Sequence, residues 1–237
     1  MDEHPLRIMH APLHGVTATR DQIRHALSYD PCSVSFSEAY PLSIFPFLTT
    51  RRVYPATVGR RLDLRRMRGP HDTPILRRRH HTKVASFAYK AVDASLPLKI
   101  APERWNTGVA YKHPWDVVGH ITAHPNAGVT GLDPRRVDRV AKYVDQLVQL
   151  EASIRRWQER EYLIVVTGDL NHAAGGESWA PEAMFRRLKL NTWRVGVDWI
   201  AWDKRLRLPE NHRKIITDNG QDHPWLVATF QRAAEGG

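Results

Sequence analysis

Hydrophobic positions in this chain alternate more often than they recur at helical spacing. Residues 6–13 read as a first strand, closing at His14-Gly15. Thr19 is placed as the N-cap of a short helix through Leu27, with Asp21 in its first turn. Residues 33–39, 83–92 and 106–111 read as further strands. Residues 116–123 form a β-rich run that stops at His124-Pro125. The clearest helix follows. Asp133 is its expected N-cap and Pro134 its first helical position. Val137, Val140, Ala141, Val144, Leu147, Val148 and Ile154 recur at helical spacing, with Arg136, Arg139, Lys142 and Arg155 on the other face. Residues 162–167 are apolar enough for a strand covered on both sides. A second helix is expected over 181–188, and late strands over 195–202 and 225–230.

The stretch 40–74 is rich in Pro, Arg and Gly and reads as irregular or hairpin-like. No internal repeat or low-complexity linker divides the chain, so residues 1–237 are expected to form a single domain, with a basic loop or hairpin region at about 50–83. A chain of 237 residues that is 42% hydrophobic and 25% charged can bury one sizeable core. Strands outnumber helices, which suits an α/β layered fold with its chemistry on loops at strand ends.

Charge sharpens this picture. The net charge of +10 attracts polyanions. It is concentrated in Arg51, Arg52, Arg60, Arg61, Arg65, Arg66, Arg68, Arg77, Arg78, Arg79 and Lys83, opposed within that segment only by Asp63 and Asp72. Such a lopsided block repels itself unless an anion lies against it, so Arg77, Arg78 and Arg79 are candidate substrate-binding residues and nucleic acid is the expected partner. Cys32 is the sole cysteine, which excludes an intrachain disulfide and suits a reducing compartment. It reads as a small buried apolar residue. Residues 1–5 lack a basic segment leading into an apolar run, and no apolar stretch is long enough to cross a bilayer. The expectation is a cytoplasmic or otherwise intracellular monomer with no membrane contact.

Five short segments each put an acid, amide or imidazole at or beside a strand end. They are Phe36-Ser37-Glu38, Thr122-Ala123-His124-Pro125, Thr167-Gly168-Asp169-Leu170-Asn171, Val197-Asp198-Trp199-Ile200 and Gln221-Asp222-His223-Pro224. Singly, each fits an ordinary turn or loop. Together, Glu38, Asp169 and Asp222 would gather three carboxylates in one cleft, and like charges so placed need protons or a cation. Oxygen ligands favour Mg²⁺ or Mn²⁺ over Zn²⁺. Asp198 could orient the imidazole of His223, which would then take a proton from water. His124 and Asn171 could hold phosphate oxygens where negative charge develops.

In this order the segments resemble the endonuclease/exonuclease/phosphatase superfamily, the deoxyribonuclease I-like proteins. The matches are Glu38, His124, Gly168-Asp169-Leu170-Asn171, Asp198 within Val-Asp-Trp-Ile, and Asp222-His223-Pro224, spanning nearly the whole chain. The resemblance implies a four-layer α/β sandwich, two packed and mostly antiparallel β-sheets flanked by helices. It implies a metal-dependent hydrolase acting on phosphate esters, with Mg²⁺ or Mn²⁺ as cofactor. Glu38 would be the principal metal ligand and Asp222 a further metal-side acid. Asp169 would contact the metal or the nucleophilic water, and Asn171 the phosphate or metal. Asp198 and His223 would form the acid–histidine pair, and His124 would contact the scissile phosphate. Pro12 stands where the family carries a first-strand Asn, and His14, two residues on, is the expected substitute ligand. Tyr89 and Tyr111 are the nearest candidates for the family's mid-chain Tyr. A nuclease is the expected function. A small-molecule or inositol-type phosphatase and a catalytically weakened nucleic-acid-binding module are the alternatives.

Overall fold

A computed structural model describes residues 5–13, 20–37, 60–62, 73, 75–78, 81–90, 104–129, 136–173, 177–220 and 222–233. One sheet of seven strands contains β1 (Leu6–His10), β2 (Ser33–Ser35), β3 (Arg60–Leu62), β4 (Ile75–Arg78), β11 (Leu206–Arg207), β12 (Arg213–Ile216) and β13 (Trp225–Arg232). Its order is β11-β13-β1-β2-β4-β3, with β12 also paired to β13. The second sheet has six strands: β5 (Lys83–Lys90), β6 (Trp105–Lys112), β7 (Val117–Ala123), β8 (Leu163–Asp169), β9 (Leu190–Val195) and β10 (Asp198–Asp203). Its order is β5-β6-β7-β8-β10-β9. Among the described strands only β1/β2 and β7/β8 are parallel, each spanned by a helix: α1 (Arg20–Ser28) and α2 (Arg136–Gln158). A third helix, α3 (Pro181–Arg187), packs beside α2.

Three apolar clusters separate the four layers. Leu6, Ile8, Val109, Val118, Val165, Ile200, Trp202, Ala228 and Phe230 fill the space between the sheets. Met9, Val34, Leu76 and Val227 face the other way, onto Ala26 and Leu27 of α1. Ile121, Ile164, Val166, Trp199 and Ala201 face α2 and α3. Strand periodicity of two explains the division, because neighbours in sequence enter different clusters. This is the expected four-layer sandwich of two mostly antiparallel sheets.

The buried stripe of α2 differs from the one its periodicity predicts. Tyr143, Leu147, Leu150, Ile154 and Trp157 are buried, whereas Val137 and Val148 are exposed and Lys142 is buried. Large aromatic side chains carry more apolar area than the smaller Val residues and decide the orientation. Trp157 lies over the glycines of the sheet. A Cβ on Gly108 would come within 2.7 Å of its ring, and one on Gly119 within 2.6 Å. The strand expected at 195–202 is β10 from Asp198 onward, entered by a hairpin from β9 that reverses at Gly196 with φ +58°. The expected caps Thr19, Asp133 and Pro134 lie outside the described residues, as do Arg51, Arg52, Arg65, Arg66 and Arg68 of the basic segment. Within that segment β3 and β4 pair antiparallel, Arg60 opposite Arg78. Among the described residues no helix is long and apolar enough to cross a membrane.

Candidate active site

Between the sheets the strands become polar toward one end. Leu6 and Ile8 are followed on the same face of β1 by His10, and Val165 on β8 by Thr167 and Asp169. The same parity puts Asp198 below Ile200 on β10, His120 above Val118 on β7, and Ser33 and Ser35 inward on β2. This end holds the C-termini of β1, β7 and β8 and the start of β10. His223 precedes β13 and joins them there.

Asp198 is 1% exposed and its two carboxylate oxygens each meet a histidine. Oδ2 accepts from His223 Nδ1 at 3.0 Å, and Oδ1 lies 3.3 Å from His10 Nε2. Burial alone would push the Asp198 carboxyl up, but the close approach of His10 and the hydrogen bond from His223 outweigh it and hold it below the usual range. Its hydrogen bond to Asp198, with the charges of Asp198, Asp169 and Asp222 acting against partial burial, pushes His223 up to about 9. The ring is therefore held toward its protonated form.

Asp169 is the second acid. Its Oδ1 accepts from the backbone N–H of Asn171 at 2.8 Å. Its Oδ2 lies 3.7 Å from both His223 Nδ1 and His124 Nε2. One ligand atom each from Asp169, Asp198 and His223 falls within 4.8 Å of the others, a spacing open to a metal ion. Asp198 is the least available of the three, because both of its oxygens face histidines. Asp222 is exposed and acts on His223 through its charge.

Local structure explains how Asp169 reaches this position. A Cβ on Gly168 would lie 2.1 Å from the carbonyl oxygen of Ala123, so only glycine lets β8 close on the end of β7 here. Asn171 follows at φ +50°, a left-handed conformation that Asn tolerates better than most residues. Its side-chain N–H donates to the Pro125 carbonyl at 2.9 Å, and Tyr143 O–H donates to the Leu170 carbonyl at 2.6 Å. The loop after β8 is thus tied to the loop after β7, bringing Asp169 beside His124. Arg104 Nη1 donates to His124 Nδ1 at 2.8 Å, which leaves the ring hydrogen on Nε2, facing Asp169.

Asp169, Asp198, His223, His124 and Asn171 therefore converge. Glu38, His14 and Arg79 lie outside the described residues. Pro12 is at the end of β1 and contributes its carbonyl, which accepts from Trp225 Nε1 at 3.0 Å. Arg77 is buried and donates to the carbonyls of His81 and Arg78. Arg78 pairs with Asp30 at the far end of β2 from Ser35. Both guanidiniums are engaged by the fold and neither reaches the Asp198–His223 pair. Tyr89 O–H is tied to the Gln149 carbonyl and Ser153. Tyr111 is fully buried and bonds Ser33. Both hydroxyls are thus committed to partners within the fold.

Sequence reasoning missed His10 and Arg104. A histidine two residues beyond Leu6 and Ile8 on a core-facing strand position was the available signal for the first. Arg104 gave none, because its partner is distant along the chain.

No protein-family model and no curated protein sequence matches the chain. Its fold does match solved structures. The human Nocturnin catalytic domain with bound sulfate superposes with TM-score 0.66 at 17% identity, covering 97% of this chain and 95% of that one. Zebrafish (D. rerio) TDP2 complexed with a single-strand DNA product gives 0.64 at 14% identity, with 97% and 100% covered. A mannosyl-6-phosphatase from Bacteroides thetaiotaomicron gives 0.68 at 10% identity, with 95% and 99% covered. These neighbours are endonuclease/exonuclease/phosphatase proteins, and this chain has their fold.

Proposed function

We propose that this protein is a divalent-cation-dependent hydrolase of phosphate esters, and that its substrate is a nucleic-acid phosphodiester. The observation that carries the reading is the Asp198–His223 hydrogen bond at 3.0 Å with Asp169 Oδ2 set 3.7 Å from both His223 and His124. Three acids acting on one imidazole leave an excess of negative charge that suits a hard cation. Asp169 and Asp222, with Glu38 and His14 from the sequence order, are the residues that would hold it. When bound, a divalent cation neutralises phosphoryl oxygens and lowers the pKa of water.

In the proposed reaction water attacks phosphorus in line and passes its proton to Asp169. His223, held by Asp198 at Nδ1, donates from Nε2 to the departing oxygen as the P–O bond breaks. His124 directs its Nε2 hydrogen toward the phosphate, where negative charge develops. Asn171 secures the loop that carries Asp169 and offers its side chain to the phosphate.

The net charge of +10 supports a polyanionic substrate. So does the neighbour complexed with single-strand DNA. A small-molecule phosphatase is the second reading, favoured by the neighbour that is a mannosyl-6-phosphatase and by the engagement of Arg77 and Arg78 within the fold. The purified chain, with Mg²⁺, Mn²⁺ or EDTA, should be offered single-stranded DNA, duplex DNA, RNA, sugar phosphates and inositol phosphates. Cation-dependent cutting of a nucleic acid is expected. Preferential release of phosphate from monoesters moves the assignment to the second reading. Tight, salt-sensitive DNA binding without turnover leaves a binding module, and metal-independent cutting removes the cation from the proposal.

A further inference from the structure

Behind the site a file of polar side chains runs into the core, and the reaction as proposed uses none of them. His10 Nδ1 lies 3.0 Å from Ser35 Oγ, which lies 2.7 Å from Thr167 Oγ1. Thr167 Oγ1 is 2.9 Å from His120 Nε2, and His120 Nδ1 is 2.8 Å from Ser33 Oγ. Ser33 Oγ is 2.9 Å from Tyr111 Oη. His10, Ser35, Thr167, His120, Ser33 and Tyr111 are all 0% exposed. They come from β1, β2 and β6–β8, so the file crosses between the sheets.

The Asp198 carboxylate can only accept, so a hydrogen on His10 Nε2 suits the 3.3 Å contact with Oδ1, which is a close charge contact and not a hydrogen bond of good geometry. On its other side the His10 ring is anchored, because Nδ1 shares a hydrogen with Ser35 Oγ and Ser35 Oγ with Thr167 Oγ1. The Ser35 and Thr167 hydroxyls also have the Met9 and Ile121 carbonyls at 3.4 Å. Burial pushes His120 down to about 3, so its ring carries a single hydrogen, shared with Thr167 or Ser33, and Ser33 in turn bonds Tyr111. A buried network with its members satisfied is rigid, and it fixes the ring of His10 beside Asp198.

We propose that His10 is a positioning residue for hydrolysis: anchored at Nδ1 by the buried polar file that runs to Tyr111, it sets Nε2 3.3 Å from Asp198 Oδ1 and holds that carboxylate in the orientation that grips His223. The claim rests on the hydrolase reading above, yet its structural half can be tested apart from it. In a buried site the free Oδ1 of a carboxylate is costly to leave unpaired, and the carboxylate would rotate to find another donor. Such rotation would take Oδ2 away from His223.

The test compares the full chain with His10→Leu, which removes the donor, and His10→Gln, which returns an N–H at a similar reach. Two readouts are taken: kcat and KM on the substrate identified above, and the proton resonance of His223 Nδ1–H by NMR. His10→Leu is expected to lower kcat by about tenfold to a hundredfold with KM unchanged, as for other residues that orient a functional ligand, and to move the His223 resonance. His10→Gln is expected to restore both. A folded His10→Leu protein with wild-type kcat and an unmoved resonance overturns the proposal. Equal losses in both variants with an unmoved resonance do so too. If His10→Leu does not fold, Ser35→Ala cuts the file one link back with little change in volume. A smaller loss of kcat and a shifted resonance are then expected, and no change in either overturns the proposal. A wild-type protein without turnover would sink the hydrolase reading alone, because the resonance still decides what His10 does.

Discussion

Asp169 and Asp198 are registered partners across the antiparallel strands β8 and β10, two acids directly opposite each other on one face of a sheet. Like charges so paired destabilise a sheet. The surrounding groups divide the two chemically. Asp198 is enclosed by His10 and His223, while Asp169 keeps one oxygen for the backbone of its own loop and turns the other toward two imidazoles. One acid is fixed as an orienting anion, and the other faces the place where a reacting group would arrive.

Replacing Asp198 by Asn keeps the shape of the site but removes the charge that raises His223. The Asp198→Asn protein is expected to lose about 10²- to 10⁴-fold in kcat, the usual scale of a positioned acid or base. In the wild type, deprotonation of His223 removes the proton donor, so the rate falls as pH rises, with a midpoint at or below about 9. That alkaline limb should move to lower pH in the variant. A pH–rate profile of both proteins checks this, and an unmoved limb would show that His223 does not control it.

Stability should follow the same ion pair. The ordinary value for His223 is 6.5 and the folded value about 9, so the stabilisation is complete below pH 6.5 and is lost as pH rises through about 9. The Asp198 carboxyl is held below its ordinary 3.8, so on the acid side the stabilisation is lost only as pH falls below that value. These are two ends of one interaction. With His223 30% exposed, its contribution should be roughly 2 kcal/mol after solvent screening. Denaturant unfolding with chelator present, at several pH values, should show this window in the wild type and its absence in His223→Ala.

Gly168→Ala should be destabilising beyond the loss of a turn preference. Its Cβ would sit 2.1 Å from the Ala123 carbonyl oxygen, so backbone must shift. The expected cost is about 1–3 kcal/mol, the range for forced overpacking. The ends of β7 and β8 would separate, carrying Asp169 away from His124. Activity should therefore fall further than thermal unfolding alone accounts for, and a variant that is destabilised yet fully active when folded would refute the link.

Glu38→Gln tests the metal assignment taken from the order of motifs. The variant should need more Mg²⁺ or Mn²⁺ to reach half-maximal rate, with little change in unfolding midpoint under chelator. Metal titrations read by activity and by calorimetry would check it. An identical metal requirement would remove Glu38 from the proposed ligand set.

Much of the architecture was legible along the chain because it is local. Alternation marked β1, β7 and β13, helical spacing marked α2, and the order of Gly168-Asp169-Leu170-Asn171, Asp198 and Asp222-His223 marked the site. Short edge strands such as β11 and β12 were not legible, because pairing with β13 rather than their own composition makes them strands. The face of α2 was misjudged because periodicity alone does not weigh Tyr143 and Trp157 against Val137 and Val148.

The linear order of residues by itself determined which acids and imidazoles lie at strand ends, and the period-two parity that turns His10, Ser35, Thr167 and Asp198 inward. Only the tertiary structure decided that these positions meet. Contact between His10 and Asp198 depends on two sheets packing face to face, with partners 188 residues apart, at positions 10 and 198. No local pattern encodes that distance. The upward shift of His223 belongs to the same class, because its cause is the hydrogen bond to Asp198, added to by the charges of Asp198, Asp169 and Asp222 brought around one ring by folding.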